Sequence, residues 1–339
     1  VTGPEVAGLI AGIRRSVATV VVGADDALDQ LLVALLCRGH ALLEDVPGMG
    51  KTLLARSLAG VLGCQLHRVQ LTPDVLPSDI TGSNIFNQRS SQFEFRPGPV
   101  FTQVLLADEI NRATPRCQSA LLEAMEERHV TVDGETRALP EPFLVLATQN
   151  PVELEGTFPL PEAQLDRFLV RVSLGYPSVE DEHAILLRFE RDQETLLEPV
   201  VSPAQILGLQ RARAEVLVSD DVRSYLVDVV RATRTDRRLT LGASPRAALA
   251  LHRASQARAM LHGRNFALPD DVKALAAPVL AHRLVVSASA RIHGESPAGV
   301  LAEILGRQAV PVEVLPSEDG SAGPGIDGAL AAQAANRGG

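Results

Sequence analysis

The chain has 339 residues, 46% of them hydrophobic, with 41 acidic against 32 basic side chains and a net charge of -9. This length suits two domains with some tail, the apolar content excludes wholesale disorder, and the acidic balance argues against general nucleic-acid binding. No apolar run approaches the ~18 residues of a membrane helix; Val1 to Ser16 lacks a signal-peptide pattern; and Cys37, Cys64 and Cys117, odd in number and far apart, fit neither a disulfide framework nor a zinc site, so a reducing cytoplasm is the expected setting.

Up to about Val201, short apolar runs alternate with helical patterns. His40 to Glu44 reads as a strand, Lys51 to Leu62 as a helix and Leu66 to Gln70 as a strand. Ser83 to Arg96 interrupts the rhythm as a small hairpin or loop insertion. Its Phe93 and Phe95 alternate onto one strand face and are expected to pack the insertion onto the sheet. Gln103 to Ala107 is a strand and Pro115 to Glu127 a helix. His129 to Leu139 carries Asp133-Gly134 between alternating residues, a strong hairpin signal, and Pro142 to Ala147 is again a strand. Buried strands separated by helices predict an α/β domain with a parallel sheet and small hairpin inserts.

From Ser202 the pattern turns helical. Ser202-Pro203 is an N-cap followed by a proline at the first helical position, and Asp220 to Arg234, Ser244 to Leu261, Pro269 to Leu284 and Pro297 to Arg307 follow. The expected division is an α/β core over 1–201, an all-α domain over 202–310 with a hinge at Glu198 to Val201, and a tail over 311–339. Pro, Gly, Ser and Ala dominate that tail and predict disorder, most clearly from Ser317 onward. The charge divides with the domains: 16 basic and 28 acidic residues up to Val201, then 15 and 9 from Ser202 to Val310.

Ala41 to Thr52 reads strand, glycine-containing loop, helix start, with Pro47-Gly48-Met49-Gly50-Lys51-Thr52 as the loop's core. Glycines let backbone N–H groups fold around phosphate oxygens, and the following helix aims its positive end at the anion. Lys51 is placed to reach β- and γ-phosphates and the Thr52 hydroxyl to ligate Mg²⁺. The strict G-x-x-x-x-G-K-[ST] pattern is broken, because Asp45 stands where its first glycine belongs. Further on, the apolar run Val104 to Ala107 ends in Asp108-Glu109. One acid at a strand end can hold the Mg²⁺ shell and the next can accept a proton from an attacking water. That pairing favours hydrolysis over transfer to a bound acceptor.

The strings Leu43 to Thr52, Asp108-Glu-Ile-Asn-Arg-Ala113, Gln118 to Glu127, Ala147-Thr-Gln-Asn-Pro151 and Leu160 to Phe168 resemble the AAA+ ATPases and, within them, the MoxR family, over about Val6 to Arg307. The resemblance implies an AAA+ P-loop core with an α-helical lid, Mg²⁺-ATP, a homo-oligomeric ring that is commonly hexameric, and a chaperone-like or metal-insertion role toward partners with a von Willebrand factor A domain. It implies that Asn150 is sensor 1, Arg167 the arginine finger and Arg246 sensor 2. It places adenine near Val22 and Gly23, makes the two inserts sites of substrate or partner contact and offers Arg112 as an interface residue. Whether Arg246 acts within its own subunit or on the neighbour stays open.

A nucleic-acid motor of the same branch predicts a basic pore hairpin, but His129 to Leu139 carries Asp133 and Glu135 beside Arg137. A nucleotide-gated scaffold with little turnover would not need Lys51, Asp108, Glu109, Asn150 and Arg167 together.

Overall fold

The computed structural model describes residues 3–46, 48–151, 156–190 and 197–311. Pro47 and the tail beyond Pro311, both the subject of expectations above, lie outside the described residues. Two helices, α1 (Gly3–Ala18) and α2 (Asp25–Leu36), precede the first strand. Neither is among the expected elements. α2 is buried continuously from Leu31 to Leu36, so its second half has no polar stripe for periodicity to register.

The core then runs β1 (Ala41–Glu44), α3 (Lys51–Val61), β2 (Leu66–Gln70), α4 (Pro77–Thr81), β3 (Gly82–Asn87), β4 (Gln92–Pro97), β5 (Val104–Asp108), α5 (Pro115–Glu127), β6 (His129–Val132), β7 (Glu135–Ala138), β8 (Leu144–Gln149), α6 (Glu162–Leu165), β9 (Val170–Val172) and α7 (Val179–Glu190). Five of these strands form one parallel sheet in the order β2-β5-β8-β1-β9. Its central strands are buried throughout except at the last residues of β1 and β8, Glu44 and Gln149, because helices cover both faces. Alternate residues enter opposite cores. Ala41, Leu43, Val104, Leu106, Leu144 and Leu146 face one core, while Leu42, Leu105, Ala107, Val145 and Ala147 face the other.

Both inserts are antiparallel hairpins. In β6–β7 the turn residues Asp133 and Gly134 both have positive φ, 50° and 84°, as a two-residue turn of the strand-matching hand requires. In β3–β4 the expectation for the aromatics holds for one of two. The Phe95 ring packs edge-on to Phe101 at 5.4 Å, with the Arg137 guanidinium 4.2 Å from its centre. Phe93, directly across from Phe86, pairs with it at 5.4 Å and remains 73% exposed. Asn84 Nδ2 of one hairpin donates to Asp133 Oδ2 of the other at 2.7 Å.

The helical part comprises α8 (Pro203–Ala212), α9 (Asp220–Thr235), β10 (Leu239–Leu241), α10 (Pro245–Leu261), α11 (Pro269–Leu280), β11 (Val285–Val286), α12 (Ala288–Ile292) and α13 (Pro297–Arg307). Serines start five of its helices, the hydroxyls of Ser202, Ser219, Ser244, Ser287 and Ser296 each accepting a first-turn N–H. Each such cap is worth about 0.5–2 kcal/mol. α9 buries Val222, Tyr225, Leu226, Val229, Val230 and Thr233, one stripe of an amphipathic helix. α11 is shorter than the expected 269–284. Pro278 lacks the N–H that would continue the ladder, and the chain tightens into a 3-10 turn over Ala281–Arg283 before pairing β11 with β10. The expected hinge is fastened at one end, since the amides of Val200 and Val201 both donate to Val61 O at the close of α3, at 2.8 and 3.2 Å. Residues 1–309 cluster as one compact unit, and the helical part shares a core with α1, α2 and one face of the sheet.

Candidate functional site

Parallel strands bring their C-terminal ends to one edge, where open α/β sheets bind ligands. Leu43 of β1 pairs with Thr148 of β8, Ala107 of β5 with Ala147 of β8, and Asp108 of β5 with Gln70 of β2. The phosphate-loop residues, Asp108-Glu109 and Asn150 therefore leave the sheet at one level although they lie far apart in sequence.

The loop fits an anion. Gly48 and Gly50 have φ of 87° and 80°, a conformation open to glycine, and a Cβ built on either would meet nothing within 4 Å. Gly50 caps α3 with no side chain accepting its first amides, unlike the five serine-capped helices, so those amides are available to a phosphate. The Lys51 ammonium folds back onto the carbonyls of Asp45, at 2.6 Å, and Val46, at 3.4 Å. Its pKa is lowered by partial burial, against which the charges of Asp45, Asp108, Glu109 and Glu44 act in the opposite direction. Beside the loop a cleft of about 870 Å³ is lined by Val22, Gly23, Gly48, Met49, Gly50 and Leu174, a volume in the range of small-molecule sites. The structure thus brings Val22 and Gly23 to the same cleft as the loop glycines.

The broken glycine position has a structural cause. The Asp45 carboxylate, 8% exposed, accepts from Ser173 Oγ at 2.6 Å, Leu174 N at 2.7 Å and Gly175 N at 3.3 Å. It ties the end of β1 to the segment after β9 and so holds one wall of the cleft. Asp45 is not among the non-glycine residues with positive φ, so its backbone has no need of glycine.

Asp108, the last residue of β5, is buried and receives Arg68 Nε at 2.6 Å and the Thr148 hydroxyl at 3.1 Å. The same hydroxyl accepts the amide of Glu109 at 2.9 Å. Glu109 has φ 59° and ψ 51°, a left-handed conformation that costs a non-glycine residue about 1–3 kcal/mol and that recurs at functional sites. Its carboxylate lies 3.3 Å from Arg112 Nη1, which places Arg112 within this subunit's own acid cluster. Asn150 is buried immediately past β8. Thr148, Arg68 and the Asp45 contacts are absent from the expected site. Thr148 sits inside the string Ala147 to Pro151, but nothing in a lone threonine announces that it bridges two acids.

Arg167 and Arg246 stand elsewhere. Arg167 Nε lies 3.3 Å from Glu126 Oε2 on α5, and Arg246 Nη2 lies 3.3 Å from the other oxygen of the same carboxylate. Arg246 Nε is also 3.6 Å from Asp166 Oδ2. The two arginines are together, and neither pairs with an acid of the Lys51–Asp108–Glu109 group among the described residues.

The fold, the glycine cradle and the acid pair at the strand ends define an AAA ATPase. Residues 40–170 match the ATPase family associated with various cellular activities (AAA), and residues 231–304 match the AAA lid domain. The chain is 42% identical to Chaperone MoxR1 of Mycobacterium tuberculosis over 92% of its own length and 85% of that relative. It is 49% identical to the uncharacterized protein YeaC of Bacillus subtilis over 87% of its own length and 92% of that protein. A crystal structure from Cytophaga hutchinsonii, provisionally named an ATPase, superimposes with a TM-score of 0.85 at 38% identity, covering 91% of this chain and 97% of that one. The chain belongs to the MoxR family of AAA ATPases. Among the described residues no helix is long and apolar enough to cross a membrane.

Proposed function

We propose that this protein hydrolyses ATP in a homo-oligomeric ring, a hexamer by family resemblance, and uses the cycle to remodel or activate a client protein. The observation that carries the reading is the separation of the site into two halves. Lys51, Thr52, Asp108, Glu109 and Asn150 gather at the sheet edge beside the open glycine cradle, while Arg167 and Arg246 share Glu126 away from it. A subunit so built needs a neighbour to complete its charge, so both arginines are assigned to the adjoining subunit's nucleotide.

In this reading the first amides of α3 and the Lys51 ammonium hold the β- and γ-phosphates, and Val22 and Gly23 border the base. The Thr52 hydroxyl and Asp108 carboxylate are hard oxygen donors suited to Mg²⁺, which supplies charge neutralisation on the phosphates when bound. The Glu109 carboxylate takes the proton of the attacking water, held at its angle by the Thr148 hydroxyl on its amide. The Asn150 amide orients that water. Arg167 from the neighbour stabilises the charge of the transition state, a contribution worth about 10³–10⁵ in rate where such residues act. The core (1–201) and lid (202–310) are the bodies whose relative motion the cycle drives.

The client assignment takes its support from the chaperone name of the mycobacterial relative and from family resemblance, which points to partners with a von Willebrand factor A domain. The metal-insertion variant shares that footing. The three cysteines, all free, suit a cytoplasmic setting. The motor reading loses further ground at the β6–β7 hairpin, where Arg137 pairs with Glu135 and lies over Phe95 rather than presenting a basic tip.

Subunit mixing tests the proposal. Lys51→Ala and Arg167→Ala proteins should each be inactive alone and regain part of the ATP turnover when combined. Inactivity of the mixture, with both proteins assembled, refutes a shared site.

A further inference from the structure

Arg283 is the most enclosed cation in the molecule's helical part, its side chain 5% exposed, and the nucleotide chemistry above makes no use of it. It leaves the 3-10 turn after α11 and enters the segment that carries Arg167. Its Nε donates to Asp166 Oδ1 at 2.6 Å. Nη2 donates to the carbonyls of Asp166, at 3.2 Å, and Phe168, at 2.8 Å. Nη1 reaches the carbonyl of Leu169 at 3.3 Å and, on its own turn, that of Val279. His282 Nε2, next to it, lies 3.1 Å from the same Phe168 carbonyl. The lid therefore grips the backbone on both sides of Arg167.

The acid of that grip faces two ways. Asp166 Oδ1 takes Arg283 and its Oδ2 lies 3.6 Å from Arg246, whose other partner, Glu126, holds Arg167. The result is a continuous chain, Arg283–Asp166–Arg246–Glu126–Arg167, that begins in the lid and ends at the guanidinium assigned to the neighbour. An apolar side chain would fill the Arg283 position at lower desolvation cost. A planar five-donor fork fixes an orientation as well as a distance, which an apolar plug does not. The hinge that leads into the lid is fastened at Val200 and Val201 to the close of α3, the helix that begins with Lys51.

We infer that Arg283 and Asp166 are positioning residues for Arg167, through which the lid of one subunit sets the reach of its arginine toward the next subunit's nucleotide. The inference rests on the reading of Arg167 as a residue of the adjoining site. Loosening the grip misplaces Arg167 without touching the P-loop of the same subunit. A misplacement on the order of 1 Å costs about 100-fold in rate.

The experiment uses the full chain with Asp166→Asn and, as an independent break of the same contact, Arg283→Lys, which keeps the charge and loses the fork. Each should lower kcat by about 100-fold while ATP affinity stays within about twofold. Mixing either with Lys51→Ala, which has an intact arginine segment and a defective P-loop, should restore turnover to the level of the control mixture of Arg167→Ala with Lys51→Ala. Full kcat in both variants overturns the inference. So does a loss that Lys51→Ala fails to restore while the control mixture is restored, since the defect then lies in the variant's own site or packing. A control mixture that is itself inactive removes the shared-site reading, and the inference with it.

Discussion

The departure from the glycine pattern at Asp45 allows a sharp test, because pattern and structure predict opposite outcomes. Asp45→Gly brings the loop into line with the strict motif. It also deletes a carboxylate that accepts bonds of 2.6, 2.7 and 3.3 Å from the Ser173 to Gly175 segment. Hydrogen bonds to a charged group are worth about 1.5–3 kcal/mol each. The longest of the three is weak, and water from the cleft can replace part of the others. Glycine adds about 0.5–1 kcal/mol of chain entropy to the loss. The expected sum is about 3 kcal/mol, or a fall of about 6–12 °C in the thermal midpoint for a domain of this class. Leu174 and Gly175 line the cleft, so freeing them also weakens nucleotide binding. If half of the loss appears there, affinity falls about tenfold. Thermal unfolding and titration with a fluorescent ATP analogue measure the two effects. Asp45→Asn, which keeps an acceptor, should fall between. An Asp45→Gly protein with an unchanged midpoint and equal or tighter binding would refute the tether and favour the motif.

Three further outcomes follow from the geometry. Glu109→Gln should bind ATP normally and lose turnover by about 10²–10⁴, the range of a general base, and full turnover would remove Glu109 from the mechanism. Thr148→Val should lower kcat by about tenfold or more, because it frees both Asp108 and the Glu109 amide, whereas Thr148→Ser should recover most of the rate; equal rates for Val and Ser would show the hydroxyl to be idle. His40 is buried with Nδ1 accepting from Val145 N and Nε2 donating to Met125 O, both at 3.0 Å, and burial, aided by the Arg128 charge, pushes its pKa down from 6.5 to about 3. The unfolded chain then binds the extra proton between those values, so this contribution is complete above pH 6.5 and lost as pH falls, by about 2 kcal/mol near pH 5. His40→Gln should narrow the difference in thermal midpoint between about pH 7.5 and about pH 5; an undiminished difference would locate the acid sensitivity elsewhere.

How much of this was legible in the sequence varies with the distance over which each residue acts. The strand Leu66 to Gln70 and the helix Pro115 to Glu127 coincide with expectation, because their patterns are local and their ends carry their own signals. The family's strings identified the MoxR family and its AAA fold. α2 escaped because its second half, Leu31 to Leu36, is buried on all sides and leaves no period, and α11 stops at Leu280, short of the expected Leu284, where the chain passes into a 3-10 turn. The site's long-range contacts were not legible at all. Asp45 reaches 129 positions ahead to Leu174, and Arg283 lies 117 positions from Asp166, so no spacing rule connects them. Arg167 and Arg246 could be named from their strings, but that both stand on Glu126 is a property of the fold alone.

The two inserts end as one object. They leave the core at separate points in the sequence, yet Asn84 is bonded to Asp133, and the Phe95 ring is clamped between Phe101 and Arg137. A force on the exposed Phe86–Phe93 tip is therefore delivered to the core through two roots at once, one after α4 and one after α5. α5 also carries Glu126, on which the two arginines rest. The two hairpins are therefore coupled: a change at Asn84, Asp133, Phe95 or Arg137 is felt in both, and a load on one is carried by the other.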